Sequence, residues 1–110
     1  MLVEHKEFKD GDEIGYIESV FSSDNVLKST YFPKKQRLYI AFSRGHTYSY
    51  ANVNTEMYEE FEKAESQGKF FHQKINNIKH PSRKEFTLYP SEVKELKEVV
   101  ENNKIIEDEQ

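Results

Sequence analysis

Two tyrosines, Tyr48 and Tyr50, stand two residues apart in the stretch HTYSYANV. This stretch is typical of a β-strand, and side chains two apart on a strand point to the same face of its sheet. In one interpretation both rings pack against helices and complete a core. In the other they form a surface on which a nucleobase stacks, which contributes about 1–3 kcal/mol per base. A mixed outcome, with one structural and one exposed ring, is equally compatible with the spacing.

A second pattern, SQGK at 66–69, is typical of a helix start. The first N–H groups of a helix lack partners within it, and together with the helix dipole they attract anions. Gly68 would let a phosphate approach the backbone, and Lys69 would supply charge. Alternatively, Gly68 only forms a corner between two helices and Lys69 is solvated. The spacing of a Walker A phosphate loop is absent.

Polar side chains near these two patterns are candidate supporting donors. We predict Arg44 in the turn before the tyrosine strand, His72 on the second helix and Arg83 after it as phosphate donors. Ser23, which precedes the first predicted strand, could add a hydroxyl. The basic cluster around Arg83 comprises Lys79, His80, Arg83 and Lys84. The plainer interpretation of such a cluster is a solvated loop.

Catalytic and metal chemistry have little support in the residue pattern. The chain has no cysteine and no serine nucleophile motif, and its four histidines lack the short spacing of metal ligands. The glutamates between 56 and 65 are typical of an exposed helix face. We therefore expect a binding protein rather than an enzyme, with no metal or cofactor.

Composition separates the classes of ligand. The chain has 110 residues and a formal net charge of −4, whereas binding a long polyanion requires many Lys and Arg contacts. A small ligand with two phosphates needs only a few donors, so composition favours a compact nucleotide over a long strand. The absence of cysteine, of a signal peptide and of a long apolar run indicates a cytoplasmic protein without a membrane segment.

The elements that would position these residues form an α+β domain. Period-two alternation predicts antiparallel strands near 26–32, 37–42 and 46–53, with a candidate fourth at 85–89. Helical spacing predicts helices from Asn54-Thr55, from 66–69 through Ile78, and from Pro90 to about Asn103. We expect a small meander of three to four strands with two to three helices on one face.

The predicted organisation has one core domain with an extension on each side. The core domain spans 22–84, the N-terminal extension spans 1–21, and the C-terminal extension spans 85–110. The first extension either adds an edge strand through Ile14 to Ile17 or is loose. The second contains a strand and a helix and ends in an acidic tail at 104–110.

Three motifs in order resemble the KTSC domain, a small module first defined at the C-terminus of some lysyl-tRNA synthetases. SSDNV at 22–26 is similar to its opening signature, with one added residue. YSY at 48–50 follows Gly45 as the family's Tyr-x-Tyr follows a glycine turn. GKFFHQKI at 68–75 resembles its helical motif, although Gln73 stands where a basic residue is common. The resemblance covers a little over half of the chain.

The resemblance implies two functions, and the residues leave a third open. RNA binding has been proposed for KTSC domains, and some small phage proteins that resemble the family look like sponges for cyclic nucleotide immune signals, including anti-CBASS proteins. We therefore predict a phage immune-evasion sponge that sequesters a cyclic dinucleotide, completed in a homo-oligomer such as a dimer or tetramer. The alternatives are an RNA-binding module and a protein-interaction module.

Overall fold

A computed structural model describes residues 1–76 and 80–109, with side chains described through Asn103. Predictions about Ile78 in the second helix and Lys79 in the basic cluster lie outside the described residues. The same holds for Gln110 and for the side chains of the predicted acidic tail, including those of Ile105 and Ile106.

One antiparallel sheet organises the chain, and its six strands lie side by side in chain order. They are β1 (Leu2–Asp10), β2 (Glu13–Phe21), β3 (Val26–Phe32), β4 (Arg37–Phe42), β5 (His46–Tyr50) and β6 (Ser82–Thr87). The predicted α+β class and the central meander are confirmed, but the predicted number of three to four strands is too small. Strand β1 was hard to foresee because LVEHKEFKD carries polar side chains on both faces. The last strand lies earlier than the predicted stretch at 85–89.

One face of the sheet carries the main hydrophobic core. Leu38 and Ile40 on β4 are fully buried there, as alternation predicts. Helix α1 (Thr55–Lys63) packs on this face, and the ring of its Tyr58 stacks on Tyr31 with centroids 4.4 Å apart. Asn54 caps α1 as predicted, because its Oδ1 accepts the N–H of Met57 at 2.8 Å.

The second helical segment also faces this core. Helix α2 (Gln67–Phe70) starts where the sequence predicts and continues into a π-helical turn, Phe71–Ile75. The hydroxyl of Ser66 caps it by accepting the N–H of Lys69 at 3.3 Å. Helix α1 ends at Lys63, and three residues separate it from the start of α2 at Gln67. The two helices are therefore short, and the corner between them brings Gly68 close to the sheet.

Helix α3 (Pro90–Glu109) lies on the other face of the sheet. It contacts β2 and β3, and its Val100 is buried beside Leu27. The neighbour of Leu27, Val26, belongs to the main core, so Leu27 and α3 lie on the opposite face. The expectation that all helices share one face is therefore wrong. The predicted end near Asn103 is also wrong, because the helix continues to Glu109. None of the helices in the described ranges combines the length and apolar character that a membrane-spanning segment requires.

Candidate functional site

The paired tyrosines of β5 both point to the main core. Tyr50 lies opposite Leu38 and is 4% exposed, and its ring meets Phe71 edge to face at 5.2 Å. Burial raises the pKa of its hydroxyl to about 12. Tyr48 is half-buried at the border of the core, with its ring 6.2 Å from Phe42. Tyr50 is thus structural, and only Tyr48 retains an exposed edge.

A polar pocket of about 560 Å³ lies where the loop before β3 meets the start of α2. Its described lining residues are Ser22, Ser23, Asp24, Asn25, Glu65, Ser66, Gly68, Lys69, His72 and Gln73. Four predicted ligand residues, Ser23, Gly68, Lys69 and His72, meet here although they come from two distant parts of the chain. The pocket size falls in the range of small-molecule sites, about 300–1,000 Å³.

Short local contacts shape the loop side of this pocket. The hydroxyl of Ser23 accepts the N–H groups of Asn25 and Val26 at 3.4 and 3.3 Å, which folds the loop back on itself. This fold presents the Asn25 amide to the start of α2. A Cβ atom built on Gly68 would stand only 3.1 Å from Asn25 Nδ2. Glycine at 68 therefore lets the loop and the helix approach closely enough to share one pocket.

The charges around the polar pocket are mixed. Lys69 and His72 are both exposed and line the pocket, so they supply an ammonium group and an imidazole as donors. Asp24 and Glu65 contribute carboxylates to the same walls. A site of this composition suits a ligand that offers both a phosphate to the cations and amino or hydroxyl groups to the carboxylates. It is poorly suited to a run of many phosphates.

The two predicted arginines do not join this pocket, among the residues described as lining it. Arg44 is exposed in the turn between β4 and β5. Arg83 lies on β6 opposite Ser49, whose side chain points away from the tyrosines. The Nε of Arg83 donates to Glu85 Oε1 at 2.9 Å, and this contact raises the pKa of the guanidinium. Arg83 is thus placed on the sheet face opposite the predicted tyrosine surface.

Two lining residues escaped the sequence reasoning. Asp24 was considered only as part of the SSDNV motif and Glu65 only as part of an exposed helix face, because a lone carboxylate beside a predicted loop has no distinguishing pattern. Ser66 was placed at the helix start, but its role as the N-cap could have been inferred from the serine three residues before Lys69. This capping bond occupies the Lys69 N–H, so that group is already partnered.

Comparison with known proteins shows that the pocket lies within a segment that matches a known domain family. Residues 22–78 match the family model described as the KTSC domain. The crystal structure of a KTSC domain protein from Yersinia pestis is similar, with a TM-score of 0.59 and 32% identity over 63% of this chain and 96% of that chain. No curated protein matches the chain. The described residues lining the polar pocket all fall within the matched range, whereas β1, β2, β6 and α3 lie outside it.

Proposed function

Because the chain belongs to the KTSC domain family, and because its polar pocket consists of residues from the matched segment, we propose that it is a non-enzymatic nucleotide-binding protein. The phosphate of the ligand contacts Lys69 and His72. Its base or sugar contacts Asn25 and the carboxylates. The observation that supports this is the convergence of Ser23 with Gly68, Lys69 and His72 in one pocket of small-molecule size.

The more specific form of the proposal is a cytoplasmic sponge for a cyclic dinucleotide, which would serve a phage in evading host CBASS-type defence. A compact ligand with two phosphates suits the small number of cations at the pocket better than a long strand does. The mixed walls provide acceptors for exocyclic amino groups. A second copy of the chain would enclose the open side of the pocket, so we propose a homo-oligomer as the active form.

The two arginines and the two tyrosines have reduced parts in this proposal. Tyr50 supports the pocket indirectly, because its ring packs on Phe71 at the start of the π-helical turn. Tyr48, Arg44 and Arg83 are not required for ligand contacts within one copy. RNA binding through the same pocket is disfavoured by the carboxylates of Asp24 and Glu65.

Thermal-shift measurements against a panel of cyclic dinucleotides and cyclic trinucleotides, with short RNAs alongside, test the proposal. We expect one cyclic nucleotide to raise the melting temperature, and Lys69→Ala to abolish this shift while leaving the melting temperature of the unliganded protein unchanged. Lys94→Ala, an exposed lysine on α3, is the matched control and should retain the shift.

Ligand recovery separates sequestration from catalysis. After incubation the protein is heat-denatured and the released nucleotide is identified by chromatography and mass spectrometry. A sponge returns the ligand intact. Release of a hydrolysed product would instead identify an enzyme, and a panel without any shift that depends on Lys69 would refute a nucleotide site at this pocket.

A further inference from the structure

A row of four aromatic rings crosses the sheet face that carries α3. Phe8 of β1 stacks on Tyr16 of β2 with centroids 4.5 Å apart and planes 9° from parallel. Tyr16 lies 5.6 Å from Phe32 of β3, and Phe32 lies 5.6 Å from Tyr39 of β4. We call these four residues the aromatic row. Each contributes one ring from a successive strand, so the row is a continuous apolar strip across the sheet.

The aromatic row is not part of the main core. Tyr16, Phe32 and Tyr39 each alternate with a core-facing neighbour, so their rings project from the opposite face. All four rings are only partly buried. Beside them a groove of about 190 Å³ leads from Tyr39 to Phe86, which is 53% exposed. Helix α3 contacts the sheet near Leu27, and none of its described side chains lines the groove beside the aromatic row.

Cationic side chains border the aromatic row. The ammonium group of Lys35 lies 5.7 Å from the centroid of Phe32, on the face of its ring. The guanidinium of Arg37 donates to the Ser49 hydroxyl at 2.8 Å, so it stands next to Tyr39 on the same face. Arg83 lies further along this face on β6, where the Tyr39 hydroxyl contributes to its raised pKa. Lys35 and Arg37 therefore border the row as positive groups, whereas the charge of Arg83 is shared with Glu85, whose Oε1 lies 2.9 Å from its Nε.

The opposite side of the molecule has the reverse charge. A second groove there, between β1, β2 and α1, is lined by the carboxylates of Glu7, Glu13, Glu59 and Glu62. The charges are therefore unevenly placed: four carboxylates line the α1 groove, whereas Lys35 and Arg37 border the aromatic row, next to the paired groups Arg83–Glu85 and Lys28–Glu18. An anionic partner is repelled from the first surface and attracted to the second.

We propose that the aromatic row binds a short segment of single-stranded nucleic acid, with unpaired bases stacked on the ring faces that no neighbouring ring covers, foremost on Tyr39, which lines the groove. Bases stack on aromatic side chains irrespective of sequence, and Lys35 and Arg37 contact the phosphates between them. An open antiparallel sheet face with successive aromatic residues is a geometry that single strands use. This site is separate from the polar pocket and does not depend on the ligand proposed there.

A proline-rich peptide is the other ligand that aromatic grooves bind. Such a peptide gains nothing from the bordering cations Lys35 and Arg37, whereas a phosphate backbone does, so these charges favour nucleic acid. The two ligands also differ in their response to salt, because only the nucleic acid releases condensed counterions on binding.

Fluorescence anisotropy with a short fluorescein-labelled oligouridine tests the site. We expect Tyr39→Leu, which keeps apolar bulk but removes the ring, to weaken binding about tenfold. Tyr39→Phe, which keeps the ring, should retain binding and guards against a loss caused by misfolding. Tyr89→Leu removes an aromatic ring that is 73% exposed and outside the row, so it is the matched control. Lys69→Ala in the polar pocket should have no effect.

Salt dependence provides a second measurement. For Lys35→Ala we expect the slope of log affinity against log salt to fall by about one, without any loss of stability. Absence of oligouridine binding at low salt, or equal losses for Tyr39→Leu and Tyr89→Leu, would overturn the proposal. A labelled oligoproline peptide that binds in a Tyr39-dependent manner while oligouridine does not would reassign the row to peptide recognition.

Discussion

His5 and Glu62 connect the first strand of the sheet to helix α1, with His5 Nδ1 lying 2.8 Å from Glu62 Oε1. The other ring nitrogen of His5 lies 2.9 Å from Glu7 Oε2. Both acceptors are carboxylates, so both bonds form fully only when the imidazole carries two protons. The bond to Glu7, together with the charge and bond of Glu62, raises the pKa of His5 against a smaller opposing effect of burial. Strand β1 lies outside the segment matched to the family, and α1 lies within it.

This contact makes the attachment of β1 dependent on pH. The folded-state pKa of His5 lies above the unfolded value of about 6.5, so its stabilisation is complete below that pH and is lost as pH rises through the folded pKa. We expect the free energy of unfolding to fall as pH rises through the near-neutral range, and His5→Gln to flatten this dependence. Urea unfolding at a series of pH values measures it. His46→Gln, at an exposed position of β5, is the control, and a flattening in that variant instead would assign the pH dependence to His46 rather than to His5.

The hydroxyl of Tyr58 belongs to a chain of hydrogen bonds that ends on the same carboxylate. Ser19 Oγ donates to Glu62 Oε2 at 2.8 Å, so its contact with the Tyr58 hydroxyl at 3.0 Å must have the tyrosine as donor. The Ser29 hydroxyl, 3.2 Å away, then donates to Tyr58. The network is buried, and each hydroxyl has a single proton, which fixes its direction.

Tyr58→Phe removes the middle of this network without changing the shape of the ring. We expect it to lower the free energy of unfolding by about 1–3 kcal/mol, because two buried serine hydroxyls lose a partner. Urea denaturation with an unchanged m-value is the appropriate measurement. Tyr89→Phe, at a largely exposed site, should leave stability unaltered. A Tyr58→Phe variant as stable as the parent would mean that the serines find other partners.

Local patterns predicted the parts of this fold that depend on neighbours in sequence. Alternation identified β3, β4 and β5 because one face of each is buried in the main core, Asn54 was recognisable as a cap, and the SQGK pattern indicated the start of α2. The face occupied by α3 could not be predicted, because an amphipathic helix carries no information about which side of a sheet it covers.

The candidate sites show the same limit. Ser23, Gly68, Lys69 and His72, which are half of the predicted ligand residues, meet in the polar pocket. The position of Arg83 could not be predicted, because it depends on the register of β6. The aromatic row was visible only in part. Tyr39 was recognisable as facing away from the core, whereas the alignment of Phe8, Tyr16 and Phe32 with it arises from pairing between strands. Such pairing is a property of register rather than of any one strand.

The core position of Tyr50 predicts that its variants affect stability rather than ligand binding. Tyr50→Ala should lower the free energy of unfolding by about 3–5 kcal/mol, the cost of deleting a large buried aromatic ring. Tyr50→Phe should have little effect, because the hydroxyl is not needed to fill the core. The folded pKa of about 12 also predicts that stability falls as pH rises above about 10, where the unfolded phenol ionises first. A stable Tyr50→Ala variant that loses only ligand binding would contradict this assignment.

Gly45 adopts the backbone conformation of the turn after β4 and also lies against α3. Two matched glycine variants separate the effect of backbone strain from the effect of displacing α3. Its φ is 95°, and an added Cβ would stand 3.0 Å from Val93 Cγ2 on α3 and 3.2 Å from the Leu88 carbonyl oxygen. Gly11, in the turn between β1 and β2, has a φ of 69° but nothing within 4 Å of such a Cβ. Gly11→Ala therefore experiences backbone strain alone, about 1–2 kcal/mol, whereas Gly45→Ala also displaces α3.

We expect Gly45→Ala to lower the free energy of unfolding by clearly more than Gly11→Ala does. Val93→Ala combined with Gly45→Ala should recover part of the difference, because it removes the methyl group that the new Cβ meets. Urea denaturation of the three variants measures these terms. If Gly45→Ala and Gly11→Ala lower the free energy of unfolding equally, α3 shifts without a cost in stability. The position of the helix would then not depend on the turn between β4 and β5.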